Sequence, residues 1–399
     1  MDGSARLSYI DIFAGCGGMD LGLYESGWDG RFAIERDPMA FGTLRHNLVS
    51  KKHHFDWPEW LPKTEHDINE VIRSYSGQLK ALQGKVDLVV GGPPCQGFSL
   101  AGRRNKNDTR NNAVYSYIKL IKLVKPRALF FENVRGFTIG FKTGRGRSKP
   151  YSDFITSQLV ELKYNVHNEI INFADYGVPQ ERHRFILVGL QDGDAKSFYE
   201  KLKASSTAFL ERKDMPSKPN VRDAISDIKR SNGEVESPDS YGFKAGIYAK
   251  PKSRYQKAMR KDCNYELPDS HRFARHGKAT VRKFRQIMDK CEHGKAVSVE
   301  MRELLGLNKK SITPLDGEMA SPTLTTLPDD YIHYSEPRIL TVREYARLQS
   351  FKDWYEITGK YTTGGKFRKL EVPRYTQVGN AIPPLFAEQA GNVLEGMLK

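Results

Sequence analysis

Two short segments carry residue types that can do covalent chemistry. VDLVVGGPPCQGFS sets Cys95 just past an apolar run and a pair of prolines, and ALFFENV sets Glu132 at the end of the next such run. A thiol and a carboxylic acid are a nucleophile and a proton donor, the pair that addition to an electron-poor ring requires. A lone cysteine is more often a small core residue than a nucleophile. Here Pro93 and Pro94 stiffen the approach and remove two backbone donors, and a polar, glycine-bearing loop follows, which argues against core packing. In PQERHRF, after Gln180, the alternate spacing of Arg182 and Arg184 on an extended strand directs both to one face.

A second cluster suits a ligand rather than a reaction. DIFAGCGG brings Gly15, Gly17 and Gly18 between a strand-like run and a helix expected from Met19, where backbone amides and a helix N-terminus can approach a ligand closely. The strict dinucleotide pattern fails, because Asp20 stands at the third glycine position, and no Lys-Ser/Thr follows as in a phosphate-binding loop. Glu35 closes the next strand twenty positions after Gly15, where doubly wound folds place an acid on a ribose hydroxyl. A nucleoside-bearing ligand is expected, with a plain tight turn as the alternative for this element taken alone.

The elements that must position these residues are legible as short apolar runs at 7–13, 31–35, 86–92, 128–134 and 184–190. Continuous apolarity means burial on both faces, and helix-compatible stretches such as Ala113–Val124 lie between them. The pattern predicts an α/β fold with a doubly wound, mostly parallel sheet over roughly the first 190 residues. Near Met215 the alternation fades into polar, basic sequence, so a second, smaller domain is expected. RILTVREYARLQSF reads as a helix capped by Thr341 with Glu344 completing a capping box, and Ile382–Leu398 as a helix opened by Pro383 and Pro384.

Composition narrows the partners. Hydrophobic residues make up 39% and charged residues 28%, which fits a globular protein, and no apolar run reaches membrane-spanning length. The net charge is +15, and Lys244–Lys295 holds fifteen Lys/Arg against five Asp/Glu, interleaved with aromatics. Such a field attracts a polyanion, although a charge run is more often a solvated face. Cys16, Cys95, Cys263 and Cys291 form no C-x-x-C pair, so neither a disulfide framework nor a metal site is expected. The N-terminus lacks a secretory pattern, which leads us to expect an intracellular protein with no N-terminal regulatory domain.

Taken in order, DIFAGCGG, ERDP, HDI, GGPPCQGFS, DTRNN, ENV, PQERHRF, RILTVREYARLQSF and TQVGNAIPP closely resemble the carbon-5 cytosine DNA methyltransferases, from residue 11 to about 390. The resemblance implies a Rossmann-like S-adenosylmethionine-dependent domain, residues 1–215 plus 371–399, and a target-recognition domain with hinge, residues 216–370. It implies that Phe13, Gly15, Gly17, Glu35, Arg36, Asp67, Ile68, Pro94 and Asn380 bind S-adenosylmethionine, with Glu35 on the ribose and Asp67 at the adenine amino group. Asp20 and the backbone near Ala113 are further contacts it suggests. Cys95 becomes the nucleophile, Glu132 the acid at cytosine N3, and Arg182 and Arg184 the supports for the base and Glu132. The target base must be flipped out of double-stranded DNA to reach them. A cytoplasmic monomer acting on nucleoid DNA beside a cognate restriction endonuclease is the expected setting.

Three other readings stay open on sequence. The RNA branch of the same family uses the same chemistry, although the long basic insertion and Ser99 look more like the DNA enzymes. An inactive methyltransferase-like DNA-binding protein is expected to lack Cys95 or Glu132, and both are present. A nicotinamide-dependent oxidoreductase leaves the Pro-Pro-Cys and Glu-Asn-Val blocks unexplained.

Overall fold

The fold is that of a computed structural model, which describes residues 6–94, 112–140, 142–143, 146–309, 311–364, 367 and 370–399. The chain divides into two compact units: Met1–Asn172, His183–Ser206 and Phe386–Lys399 form the first, and Phe173–Arg182 and Thr207–Leu385 the second.

The first unit is built on a six-stranded sheet. Its strands are β1 (Ser8–Ile12), β2 (Asp29–Ile34), β3 (Leu88–Gly91), β4 (Ala128–Val134), β5 (Asn165–Asn172) and β6 (His183–Leu190). They lie in the order β2-β1-β3-β4-β6-β5. The first four run parallel, and β6 and β5 add antiparallel partners, so the sheet is mixed but mostly parallel as expected. Tyr9, Ile10, Leu88, Val89, Leu129, Phe130, Ile186 and Leu187 are all fully buried, which is why these runs read as continuously apolar.

Parallel neighbours need crossovers, and helices supply them. Gly18–Glu25 joins β1 to β2, Pro38–Leu44 and Ile68–Ser74 lie between β2 and β3, and Asn112–Val124 precedes β4. Asp37 starts the second of these: its Oδ1 accepts from the amides of Met39 and Ala40 at 2.9 and 3.0 Å, and Pro38 occupies the first turn. The C-terminal helix Pro384–Leu398 returns its last residues to this unit, where Trp28 Nε1 donates to the Gly391 carbonyl at 3.1 Å. A Cβ on Gly391 would stand 2.3 Å from Ser26 Oγ, so only glycine admits that packing.

The second unit centres on helix Val342–Leu348, every residue of which is buried. Thr341 and Glu344 form the expected capping box, and Glu344 also receives Arg338 through two hydrogen bonds of 2.8 and 2.6 Å. Arg343 donates to Asp269 at 2.8 Å and Arg347 to Asp353 at 2.6 Å. Buried charges of this kind persist only when paired, and here each has its counter-ion. A satellite core of Phe284, Ile287, Val297, Ile312 and Ile332 fixes helix Lys278–Lys290. Among the described residues no helix is long and apolar enough to cross a membrane, and no cluster of His, Cys, Asp and Glu is arranged to hold a metal.

Candidate active site

Strand register sets out the site in the first unit. Ile12 pairs with Ile34 on one side and Gly91 on the other, and Gly91 pairs with Phe131. The residues that follow these, Glu35, Phe13, Gly92 and Glu132, therefore emerge along one edge. With about 4.8 Å between strands, Glu35 and Glu132 stand roughly 14 Å apart along it. The chain leaves β1 for β2 on one side and reaches β3 on the other, which makes this edge a topological switch point, where open α/β sheets bind ligands.

The turn after β1 is held in an unusual backbone. Phe13, Gly15 and Gly17 have φ of 63°, 58° and 85°. Glycine accepts this region freely, but an aromatic residue there stores strain of order 1–3 kcal/mol, a feature that clusters at ligand sites. A Cβ on Gly15 would meet nothing within 4 Å, so the turn faces open space.

Glu35 anchors the turn. Its Oε2 accepts from the Gly15 amide at 2.9 Å and its Oε1 from the Asp37 amide at 2.8 Å. Burial raises its pKa despite those two donors. A carboxylate oxygen can accept a second hydrogen bond, so both remain able to receive a pair of adjacent hydroxyls such as those of a ribose. The Glu35 carbonyl accepts from the His66 amide at 2.8 Å, which docks the HDI turn alongside. There Asp67 caps helix Ile68–Ser74 through the Asn69 amide at 2.8 Å, and Ile68 is buried beneath it. Arg36 is exposed.

Beneath the turn lies a polar network that the sequence reading missed. Tyr9 OH donates to Asp20 Oδ1 at 3.0 Å and meets His54 Nε2 at 2.8 Å. Asp20 also shares a hydrogen bond with Asp11, and burial pushes the Asp20 carboxyl up to about 6 and that of Asp11 well above the usual range. Asp20 is fully buried, so it supports the turn from below. The alternation of Tyr9 and Asp11 on a strand was the available signal, but their partner Asp20 sits on a helix whose facing cannot be read from spacing alone.

At the other end of the edge, Gly92, Pro93 and Pro94 follow β3; Cys95 and the residues through Asn111 lie outside the described residues. Asn133, buried, donates from Nδ2 to the Pro93 carbonyl at 3.2 Å and accepts from the Val134 amide at 3.0 Å. The ENV block thus ties the proline pair to the strand that bears Glu132. Arg184 Nε lies 2.9 Å from Glu132 Oε1, with side chains only 12% and 13% exposed. A Cβ on Gly92 would come within 3.0 Å of Glu132 Oε2, so the glycine makes room for the carboxylate. Of the other cysteines, Cys16 is buried with its thiol pushed up to about 12, which keeps it from forming a thiolate near neutrality.

Arg182 and Arg184 have different partners. Arg182 is buried in the second unit and donates to the Gly379 and Leu324 carbonyls at 2.9 and 3.3 Å. Gln180 accepts from the Leu324 amide at 2.9 Å and donates to Gln349 Oε1 at 3.0 Å. Asn380 is exposed at the end of helix Arg374–Asn380 in that same unit.

Comparison with known proteins points to one family. The model of the C-5 cytosine-specific DNA methylase family matches residues 7–395. Type II methyltransferase M.DdeI of Desulfomicrobium norvegicum is 30% identical over 398 residues, covering 96% of this chain and 87% of that protein. Type II methyltransferase M.XorII of Xanthomonas oryzae pv. oryzae is 29% identical, covering 98% and 85%. Among solved structures, a DNA modification methyltransferase encoded within an E. coli prophage superposes with a TM-score of 0.63 at 22% identity, covering 98% of each chain. The S. pombe Dnmt2 methyltransferase gives 0.56 at 15% identity, covering 99% and 100%. These two likenesses speak to the fold.

Proposed function

The chain belongs to the C-5 cytosine-specific DNA methylase family, and on that premise we propose that Cys95 is its nucleophile and Glu132 its acid. The protein is an enzyme that transfers a methyl group from S-adenosylmethionine to carbon 5 of cytosine in DNA, and its relatives set it in restriction-modification. The single observation that supports the residue assignments best is the shared edge: the Glu35 turn and the Glu132–Arg184 pair emerge from strands in one continuous register.

The residues present fit S-adenosylmethionine. Glu35 offers two oxygens to the ribose, the strained Phe13 turn lets the ligand approach the Gly15 and Gly17 backbone, and Asp67 with Ile68 lies beside Glu35 for the adenine. Arg36, Pro94 and Asn380 complete the proposed set. When bound, the cofactor supplies an electrophilic methyl group.

The chain's own residues make the cytosine able to take it. The Cys95 thiolate adds to C6 of a base flipped out of the duplex while Glu132 protonates N3, so that the ring electrons gather at C5. Arg184 holds the Glu132 side chain in place through their ion pair. Arg182, which donates to the Leu324 and Gly379 carbonyls, is the proposed support for the base. After C5 is methylated, a base removes the C5 proton, the thiolate leaves C6 and the N3 proton is returned.

We assign target recognition in double-stranded DNA to residues 216–370, and place the enzyme in the cytoplasm on nucleoid DNA as a monomer beside a cognate endonuclease. Bisulfite sequencing of DNA from cells expressing the protein tests the reading. Protected cytosines within one short motif are expected; uniform conversion of every cytosine would contradict it.

A further inference from the structure

In the second unit, helix Lys278–Lys290 carries Lys278, Arg282, Lys283, Arg285 and Lys290, all exposed, against the single acid Asp289. The spacing is specific. Lys278, Arg282 and Arg285 are four and three residues apart, which gathers them within about 60° of arc. Phe284 and Ile287 point the opposite way into the satellite core with Val297, Ile312 and Ile332, so the direction of the cationic stripe is fixed by packing.

Some exposed cations elsewhere in this unit are neutralised: Arg222 pairs with Glu318, Arg230 with Glu234, Arg254 with Asp214 and Lys295 with Glu292. Others, such as Lys250, Lys257 and Arg275, are exposed and scattered over separate elements. Among the described residues none of the three stripe cations enters an ion pair, even though Asp289 stands one turn beyond Arg285. Positive charge left uncompensated on a rigid face is a surface for an anion. A bilayer is a poor fit, because the apolar side of the helix is already spent on the core.

We propose that the stripe Lys278–Arg282–Arg285 seats this helix along the phosphate backbone of the duplex DNA substrate. The proposal rests on the DNA methyltransferase reading above. The dimensions agree: seven residues of helix span about 10 Å, and one strand of a duplex presents a phosphate about every 3.4 Å along its axis, so the stripe matches about three phosphates.

The test is the salt dependence of duplex binding by the full-length protein, wild type against the triple variant Lys278→Gln, Arg282→Gln, Arg285→Gln. Losing three phosphate contacts should reduce the slope of log affinity against log salt by about 2.7. S-adenosylmethionine affinity and the thermal midpoint should stay at wild-type values, since the changed side chains are exposed. The charge-keeping variant Lys278→Arg, Arg282→Lys, Arg285→Lys should restore the wild-type slope. A wild type that methylates duplex DNA together with an unchanged slope in the triple variant would overturn this proposal alone; a wild type that neither binds nor methylates duplex DNA would overturn the underlying reading as well.

Discussion

Arg184 and Glu132 meet across two antiparallel strands, Nε to Oε1 at 2.9 Å, in a register that sets Glu132 opposite Ile186 and Arg184 opposite Val134. The diagonal contact leaves the carboxylate lodged between a guanidinium and the backbone of Gly92. With the arginine present the acid has one place to be. Glu132→Gln should lower turnover by about 10²–10⁴-fold, the usual contribution of a general acid. Arg184→Ala should lower kcat by about 10–100-fold through misplacement of the acid. S-adenosylmethionine affinity should stay unchanged in both. Single-turnover methylation with calorimetry checks this, and an Arg184→Ala enzyme with wild-type kcat would remove the pair from the mechanism.

Gly92→Ala is a stricter probe of the same geometry, because the added methyl would stand 3.0 Å from Glu132 Oε2. Either the carboxylate shifts or the loop that leads to Cys95 does. Turnover should fall while the protein remains folded by circular dichroism; undiminished turnover would show that the carboxylate is not confined by Gly92.

Glu35→Ala should weaken S-adenosylmethionine binding by about 1–3 kcal/mol, through lost charge-assisted hydrogen bonds. The Gly15 amide loses its acceptor in the same change. Glu35→Gln keeps an acceptor for the turn and should lose less. Asn380→Ala should lose less than Glu35→Ala. Unchanged affinity of Glu35→Ala by calorimetry would take Glu35 out of the site.

The strands were legible because buried parallel strands are apolar throughout, and the runs at 128–134 and 184–190 were read almost to their ends. β5 was not read. Its sequence NVHNEIIN lies at the sheet edge, half exposed, and shows no continuous apolarity. The spacing of Gly15 and Glu35 pointed to a ribose-bearing ligand, but not to the hydrogen bond between the two residues themselves. The Asn133–Pro93 bond joins the end of β4 to the segment after β3, neighbours whose register only the folded sheet determines. The partners of Arg182 and Arg184 diverge because β6 begins at His183, between them: alternation constrains side chains only inside a strand.

The buried carboxyls under the turn make stability depend on pH. Asp20 has a folded pKa of about 6, above the value of about 3.9 for an unfolded chain. Its contribution is therefore fully present below the unfolded value and is lost as pH rises through about 6. His54, held down at about 4 by burial, works against it, losing stability as pH falls below about 6.5. The difference between wild type and Asp20→Asn cancels the histidine. On urea denaturation the variant should gain relative to wild type between pH 4 and pH 7, because Asn keeps an acceptor for Tyr9 and cannot ionise. A difference flat with pH would contradict the raised carboxyl.

The central claim is that Cys95 attacks C6 of the target cytosine, and a duplex carrying 5-fluorocytosine at that base tests it most directly. Fluorine cannot leave as a cation, so the methylated base should stay bonded to the protein. The expected result is an adduct that needs S-adenosylmethionine, survives denaturing electrophoresis and maps by peptide mass to the segment containing Cys95. Cys95→Ser should bind DNA and form no adduct, since a hydroxyl without an adjacent base is a far weaker nucleophile. An adduct mapping to Cys16, Cys263 or Cys291, or full turnover by Cys95→Ser, would contradict the assignment.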